Sequence, residues 1–177
     1  MPPDEEVCLQ LAKGLAHIHE MQLTHRDLKP HNVLIQVDST GKVLMKWADF
    51  EQCVPVDENG CYTITDVSDV GTRDWNAPEL VQIQSKNGGN LTEQGTVKSD
   101  VFSQGLVFGY YILEGRHPYP EENIMQHILD SKPNNLDARQ GHPMHAIIMK
   151  MLEKDLEKRI SSADVVTEIT NLVDERQ

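Results

Sequence analysis

Between Val101 and Leu113 the chain is apolar apart from Ser103, Gln104 and the glycines Gly105 and Gly109. A helix with apolar residues on every side has no face to give to water, so it must be buried all round. The run is too short to cross a bilayer. Ser99 and Asp100 precede it and Gly115 follows, which places a central buried helix at about 99–114. The 177 residues suffice for one domain with a real core around such a helix.

The flanking segments are short and mostly helical. Pro3 and Asp4 are helix-start residues, and Cys8, Leu11, Leu15 and Ile18 recur at helical spacing, so 4–21 reads as an amphipathic helix. On it His17 and His19 fall on different faces and make no metal pair. Two β-prone runs, 33–37 and 42–47, surround the turn-forming Asp38-Ser39-Thr40-Gly41 and read as a hairpin. From Glu51 to Val70 the chain is polar and acidic, the pattern of a mobile loop. Pro78-Glu79 opens a short helix, and 84–96, with Gly88 and Gly89, reads as a surface loop. Helices are expected at 121–129 and 145–152, with a loop at 131–141. Ser161 or Ser162 caps a last helix, whose stripe is Val165, Val166, Ile169, Leu172 and Val173. The expected fold is one mainly α domain with a small β-hairpin.

The net charge of −12, from 28 acidic and 16 basic side chains, argues against a phosphate-backbone ligand and hence against nucleic acid. Cys8, Cys53 and Cys61 are odd in number and lack C-x-x-C spacing. They read as free thiols of a reducing compartment, the cytoplasm, although a Cys53–Cys61 bridge is conceivable. The acidic N-terminus has no apolar core of a signal peptide, and no membrane segment is expected.

The stretch His25-Arg26-Asp27-Leu28-Lys29-Pro30-His31-Asn32 places a carboxylate, an ammonium and an amide in one turn, directly before the apolar Val33-Leu34-Ile35. Phosphoryl transfer requires a base to orient a hydroxyl, cations for developing charge and oxygen ligands for magnesium. Asp27 can accept the hydroxyl proton, Lys29 can reach the phosphoryl and Asn32 can offer an oxygen to a metal. Taken alone, the stretch also reads as a solvated polar turn. Asp49-Phe50 follows the hairpin, which can bring Asp49 to Asn32 as a second ligand of one metal. Further on come Gly71-Thr72-Arg73-Asp74-Trp75-Asn76-Ala77-Pro78-Glu79 and Ser99-Asp100.

In this order the motifs resemble the C-terminal lobe of protein kinases, across nearly the whole chain. The resemblance implies a catalytic loop at 25–32, an activation segment at 49–79 and an ATP and Mg2+ site. Asp27, Lys29 and Thr72 would then be catalytic, Asn32 and Asp49 would hold the metal, and Leu34 would join Lys29, Asn32 and Asp49 at the nucleotide. His25, Arg26, Phe50, Glu79, Asp100 and Arg159 would be structural: Glu79 paired with Arg159, Asp100 holding the backbone around His25 and Arg26, and Phe50 packing to set the active state. Residues 71–79 would form the floor for a peptide substrate. Lys29 in D-L-K-P looks like the serine/threonine type. Within the family the pattern is most similar to the kinase domains of unfolded-protein-response sensor kinase/endoribonucleases and of ribonuclease L. Their ribonuclease module is not found in these residues, and no nuclease activity is expected of them.

Two departures matter. No G-x-G-x-x-G-x-V loop and no V-A-I-K lysine occur, so an N-lobe that clamps the nucleotide is missing from this sequence. Glu51 stands where the family has the glycine of D-F-G, and glutamate resists angles that glycine permits. Ile160 is a smaller one, in place of a common proline. Thr63, Thr65 and Ser68 are candidate phosphorylation sites, because Arg26 could pair with an added phosphate. The plain reading of polar loop residues stands beside it, and Asp57, Glu58, Asp66 and Asp69 would oppose added negative charge. His127, His142 and His145 read as surface or core histidines. The expectation is a serine/threonine kinase whose activity depends on the missing lobe. The alternative is a silent binding module for a protein partner such as another kinase. The oligomeric state is not legible.

Overall fold

The computed structural model describes residues 2–86 and 92–175. Helix α1 (Asp4–Glu20) buries Val7, Cys8, Leu11, Ala12 and Leu15 along one stripe, with Asp4, Glu5 and Glu6 in its first turn, where acidic side chains suit the helix dipole. Strand β1 (Leu23–Thr24) follows, and then the loop that carries Asp27. β2 (Val33–Val37) and β3 (Val43–Trp47) pair antiparallel, with Val33 opposite Trp47 and Val37 opposite Val43. The Asp38 carboxylate closes their turn by accepting from the Thr40 and Lys42 amides. Trp47 and Met45 turn inward onto α1, where the Trp47 indole donates to the Leu11 carbonyl at 3.0 Å.

The acidic stretch expected to be a mobile loop is tethered at two points. β4 (Val54–Pro55) pairs with β1, and β5 (Cys61–Ile64) pairs with β6 (Glu93–Thr96). Tyr62 and Ile64 drop from β5 into a second apolar cluster with Val70, Leu80 and Ile83. Segment 84–96 is therefore not loop throughout, although Gly88 and Gly89 lie outside the described residues. The described residues hold three two-stranded sheets instead of one hairpin. Each added strand is very short, and its partner is remote in sequence.

After α2 (Pro78–Gln84), the central helix α3 (Val97–Ile112) begins two residues earlier than expected, because the Thr96 hydroxyl caps it by accepting from the Lys98 amide. Ser99 and Asp100 thus lie inside its first turn. α3 is buried from Ser99 to Gly109. Phe102, Leu106 and Phe108 form the centre of the core with Leu15, Ile148, Val165 and Ile169. α4 (Ile124–Leu129) starts later than expected, after Asn123 in a left-handed conformation. A 3-10 turn at Asn134–Arg139 replaces part of the expected loop. α5 (His145–Met151) and α6 (Ser162–Asp174) close the fold, with Ser161 capping α6 and α6 packing along α1. No helix among the described residues is long and apolar enough to cross a membrane.

Candidate active site

The loop carrying Asp27 is held from beneath by α3. The buried Asp100 carboxylate accepts from the backbone amides of His25 (2.7 Å) and Arg26 (2.9 Å), from the Thr24 hydroxyl (2.8 Å) and from His19 Nε2 (3.1 Å). Burial alone would raise the Asp100 pKa. The His19 contact and the two amides outweigh it and hold the carboxyl below its ordinary 3.8. This support is needed because Arg26 sits at φ 70°, a costly conformation for a side chain of its size. His25 is buried, donates from Nε2 to the Ala48 carbonyl at 3.0 Å and lies 5.2 Å from the half-exposed Phe50 ring. The loop is thereby tied to the end of β3 as well as to α3.

Above this support the predicted catalytic side chains meet. The Thr72 hydroxyl donates to Asp27 Oδ1 at 2.6 Å, and Lys29 Nζ donates to Asp27 Oδ2 at 2.7 Å and to the Thr72 oxygen at 2.9 Å. The Asn32 amide nitrogen donates to the Asp27 carbonyl at 2.8 Å and to Oδ2 at 3.2 Å. Partial burial raises the Asp27 pKa, but the hydrogen bonds from Lys29, Thr72 and Asn32 and the Lys29 charge prevail. Asp27 is held below the ordinary 3.8 and is ionised at neutral pH.

Magnesium prefers oxygen ligands and keeps waters or phosphate oxygens for the rest. Asn32 spends its nitrogen on Asp27, which leaves its side-chain oxygen. The Ala48 amide donates to the Asn32 carbonyl at 2.9 Å, so the hairpin returns Asp49 beside it. Asp49 is exposed and sits at φ 63°, which aspartate tolerates better than most residues. The donor chemistry fits magnesium shared with phosphates. Among the described residues no group of three His, Cys, Asp or Glu side chains gathers as a closed metal site. Glu51 is exposed, and its backbone is not left-handed, so this conformation does not demand glycine there. Leu34 is 60 % exposed and, by the hairpin register, shares a face with Leu44. Gln36 and Lys46 lie on the same face, which is open beside the loop.

The segment ends on a tight approach. Gly71, at φ 59°, runs against the loop so closely that a Cβ would overlap the Arg26 carbonyl oxygen. Asn76 donates to the Val70 carbonyl at 2.6 Å. Glu79 takes a two-pronged contact from Arg159, at 2.8 and 3.0 Å, and a bond from the Ser99 hydroxyl at 2.7 Å. The Arg159 side chain is fully buried and also donates to the carbonyls of Lys98 and Glu153. This pair fastens α2 to the loop before α6. The Arg26 guanidinium reaches the Asp69 carbonyl, lies 4.0 Å from the Asp69 carboxylate and stands over the Tyr62 ring at 5.4 Å. Thr63, Thr65 and Ser68 are all exposed. The Ser68 hydroxyl is bonded to Asp66 at 2.7 Å, so a phosphate there would meet a carboxylate.

Sequence reasoning missed His19, which bridges Asp100 and, at 2.8 Å, the Ser162 hydroxyl of α6. Helical spacing placed it on a face but could not reveal partners so remote in sequence. His117 was missed as well. It is buried behind the Arg73–Trp75 turn, where the sequence shows only the turn-forming Arg116-His117-Pro118-Tyr119-Pro120.

Comparison with known proteins agrees with this geometry. The model of the protein kinase domain family matches residues 4–170. The human serine/threonine-protein kinase/endoribonuclease IRE2 is 37 % identical over 73 % of this chain, which spans 14 % of that protein. The probable serine/threonine-protein kinase ireA of Dictyostelium discoideum is 31 % identical over 88 % of the chain, again 14 % of its own length. The serine/threonine-protein kinase pkn2 of Myxococcus xanthus is 32 % identical over 92 % of the chain and 20 % of its own. The chain thus spans a small part of each relative's length. By its family match and by these relatives, this chain belongs to the protein kinase domain family.

Proposed function

We propose that this chain is the C-lobe of a protein serine/threonine kinase, transferring the terminal phosphoryl of ATP to a protein hydroxyl. The observation that carries the reading is the contact set of Asp27, Lys29, Thr72 and Asn32 around one ionised carboxylate. Asp27 orients the acceptor hydroxyl and takes its proton. Lys29 faces the charge that develops on the transferred group. Thr72 fixes the Asp27 rotamer and joins the loop to the segment that would carry the substrate. Asn32 and Asp49 would hold magnesium, which when bound neutralises phosphate charge. The exposed Leu34 face would take the base. None of these 177 residues supplies a Gly-rich loop or strand lysine, so turnover is conditional on a nucleotide-clamping N-lobe. The free thiols of Cys8, Cys53 and Cys61 suit a reducing, cytoplasmic setting.

Two observations favour a second reading, a catalytically silent module that binds a protein partner. Glu51 stands two residues after Asp49 in place of the family's glycine, and Leu34, Ile35 and Val37 expose apolar surface. A thermal-shift titration separates the two readings. The kinase reading predicts that millimolar ATP with magnesium raises the melting temperature and that EDTA or Asp49→Ala removes the rise. An absent rise in the wild type, or one indifferent to Asp49, favours the silent module.

A further inference from the structure

Asp74, in the turn that follows Thr72, turns its carbonyl inward onto His117, which sits in the segment after α3. His117 Nε2 lies 3.0 Å from the Asp74 carbonyl, while Nδ1 lies 3.1 Å from the Tyr119 amide nitrogen and 3.2 Å from the Tyr119 carbonyl. A carbonyl only accepts and an amide N–H only donates. The Asp74 bond therefore requires a proton on Nε2, and in the neutral ring that leaves Nδ1 to accept from the Tyr119 amide. The ring is buried, and Trp75 stands edge-on to it at 5.0 Å while also packing on Tyr110 at 5.6 Å. Asn135 anchors the His117 carbonyl at 2.9 Å. The titratable groups facing it are Asp74, Glu121 and Tyr119. Burial outweighs them and keeps the imidazole below the ordinary histidine value of 6.5.

The turn is thus held on two sides. Its Thr72 end is bonded to Asp27 and Lys29, the Trp75 amide closes back on the Thr72 carbonyl at 3.0 Å, and its Asp74 carbonyl is bonded to His117. A cavity of about 330 Å³ opens beside it, lined by Arg73, Asp74, Glu121, Asn123, Ile124 and Met125. Movement of the turn would reshape that cavity and shift Thr72 together.

We propose that His117 is a positioning residue, a latch that fixes the Thr72–Trp75 turn and so sets how a peptide is presented to Asp27. The role in peptide presentation rests on the kinase reading above, whereas the latch itself does not. His117→Phe keeps a ring but removes the donor. His117→Gln places an amide N–H near the Nε2 position and does not titrate.

Amide hydrogen exchange in the folded chain tests the latch. His117→Phe should speed exchange at 72–76 about tenfold, the cost of one lost hydrogen bond. The amides of His25 and Arg26 should stay unchanged, and His117→Gln should restore the wild-type rate. Equal exchange at 72–76 in wild type and His117→Phe overturns the proposal. Nitrogen NMR of the wild-type ring decides the matter without any variant: the Nε2–H tautomer is expected, and an Nδ1–H tautomer overturns it. In protein that transfers phosphate, His117→Phe should raise the peptide KM about tenfold, leave the ATP KM unchanged and be rescued by His117→Gln. A parallel rise in both KM values overturns positioning. No phosphate transfer in any form defeats the kinase reading and leaves the exchange and NMR results to decide the latch.

Discussion

Asp100 shows how one side chain supports a site it does not enter. Its carboxylate holds two backbone amides, a hydroxyl and His19, and through them a left-handed Arg26 one residue from Asp27. Because its folded pKa is lowered, the unfolded chain binds the extra proton first as the solution is acidified. The stability it contributes is complete above the ordinary 3.8 and is lost as pH falls below that value toward the folded pKa. Asp100→Asn should therefore be less stable at neutral pH yet show a flatter acid limb below about pH 4. Urea titrations across pH 2–7 measure this, and parallel acid limbs would count against it. At this scale much was readable in advance. The types and order of His25 to Asn32, Asp49, Thr72, Glu79, Asp100 and Arg159 pointed to one constellation, and the structure brings Asp27, Lys29, Thr72 and Asn32 into contact. His19 and the Asp74 contact of His117 were not readable, because Asp100, Ser162 and Asp74 lie far away in sequence and the Asp74 contact is made by a backbone atom, which leaves no residue pattern.

The helices followed their apolar spacing closely, since a buried stripe at period 3.6 is a strong local signal. The short strands did not. Val54–Pro55 and Cys61–Ile64 are too brief for alternation to register, and their partners supply the reason they exist. The packing of α3 on α5 gives a test. A Cβ on Gly105 would lie 2.8 Å from Met151 Cβ and 3.2 Å from Leu152 Cδ2. Gly→Ala favours a helix by about 1 kcal/mol. Here Met151 Cβ is fixed to the α5 backbone and cannot swing aside, so overpacking of about 1–3 kcal/mol should prevail. Gly105→Ala is expected to lower the urea midpoint, and a raised midpoint would mean that α5 yields freely.

On the scale of the whole molecule, α3 runs through the core and presents Asp100 to the loop that carries Asp27, while α2, pinned by Glu79 and Arg159, brings residues 71–79 back over it. Leu34 and Asp49 both remain exposed. We propose that these residues form a phosphoryl-transfer centre that needs a clamp over the nucleotide to turn over. The direct test is transfer of labelled phosphate from ATP to protein serine or threonine. It compares the chain alone with the chain fused behind the Gly-rich loop and lysine-bearing strands of a related kinase. Negligible transfer is expected from the chain alone and measurable transfer from the fusion, lowered about a hundredfold or more by Asp27→Asn. A fusion that binds ATP with magnesium yet transfers no phosphate, or that transfers equally well with Asp27→Asn, would contradict it.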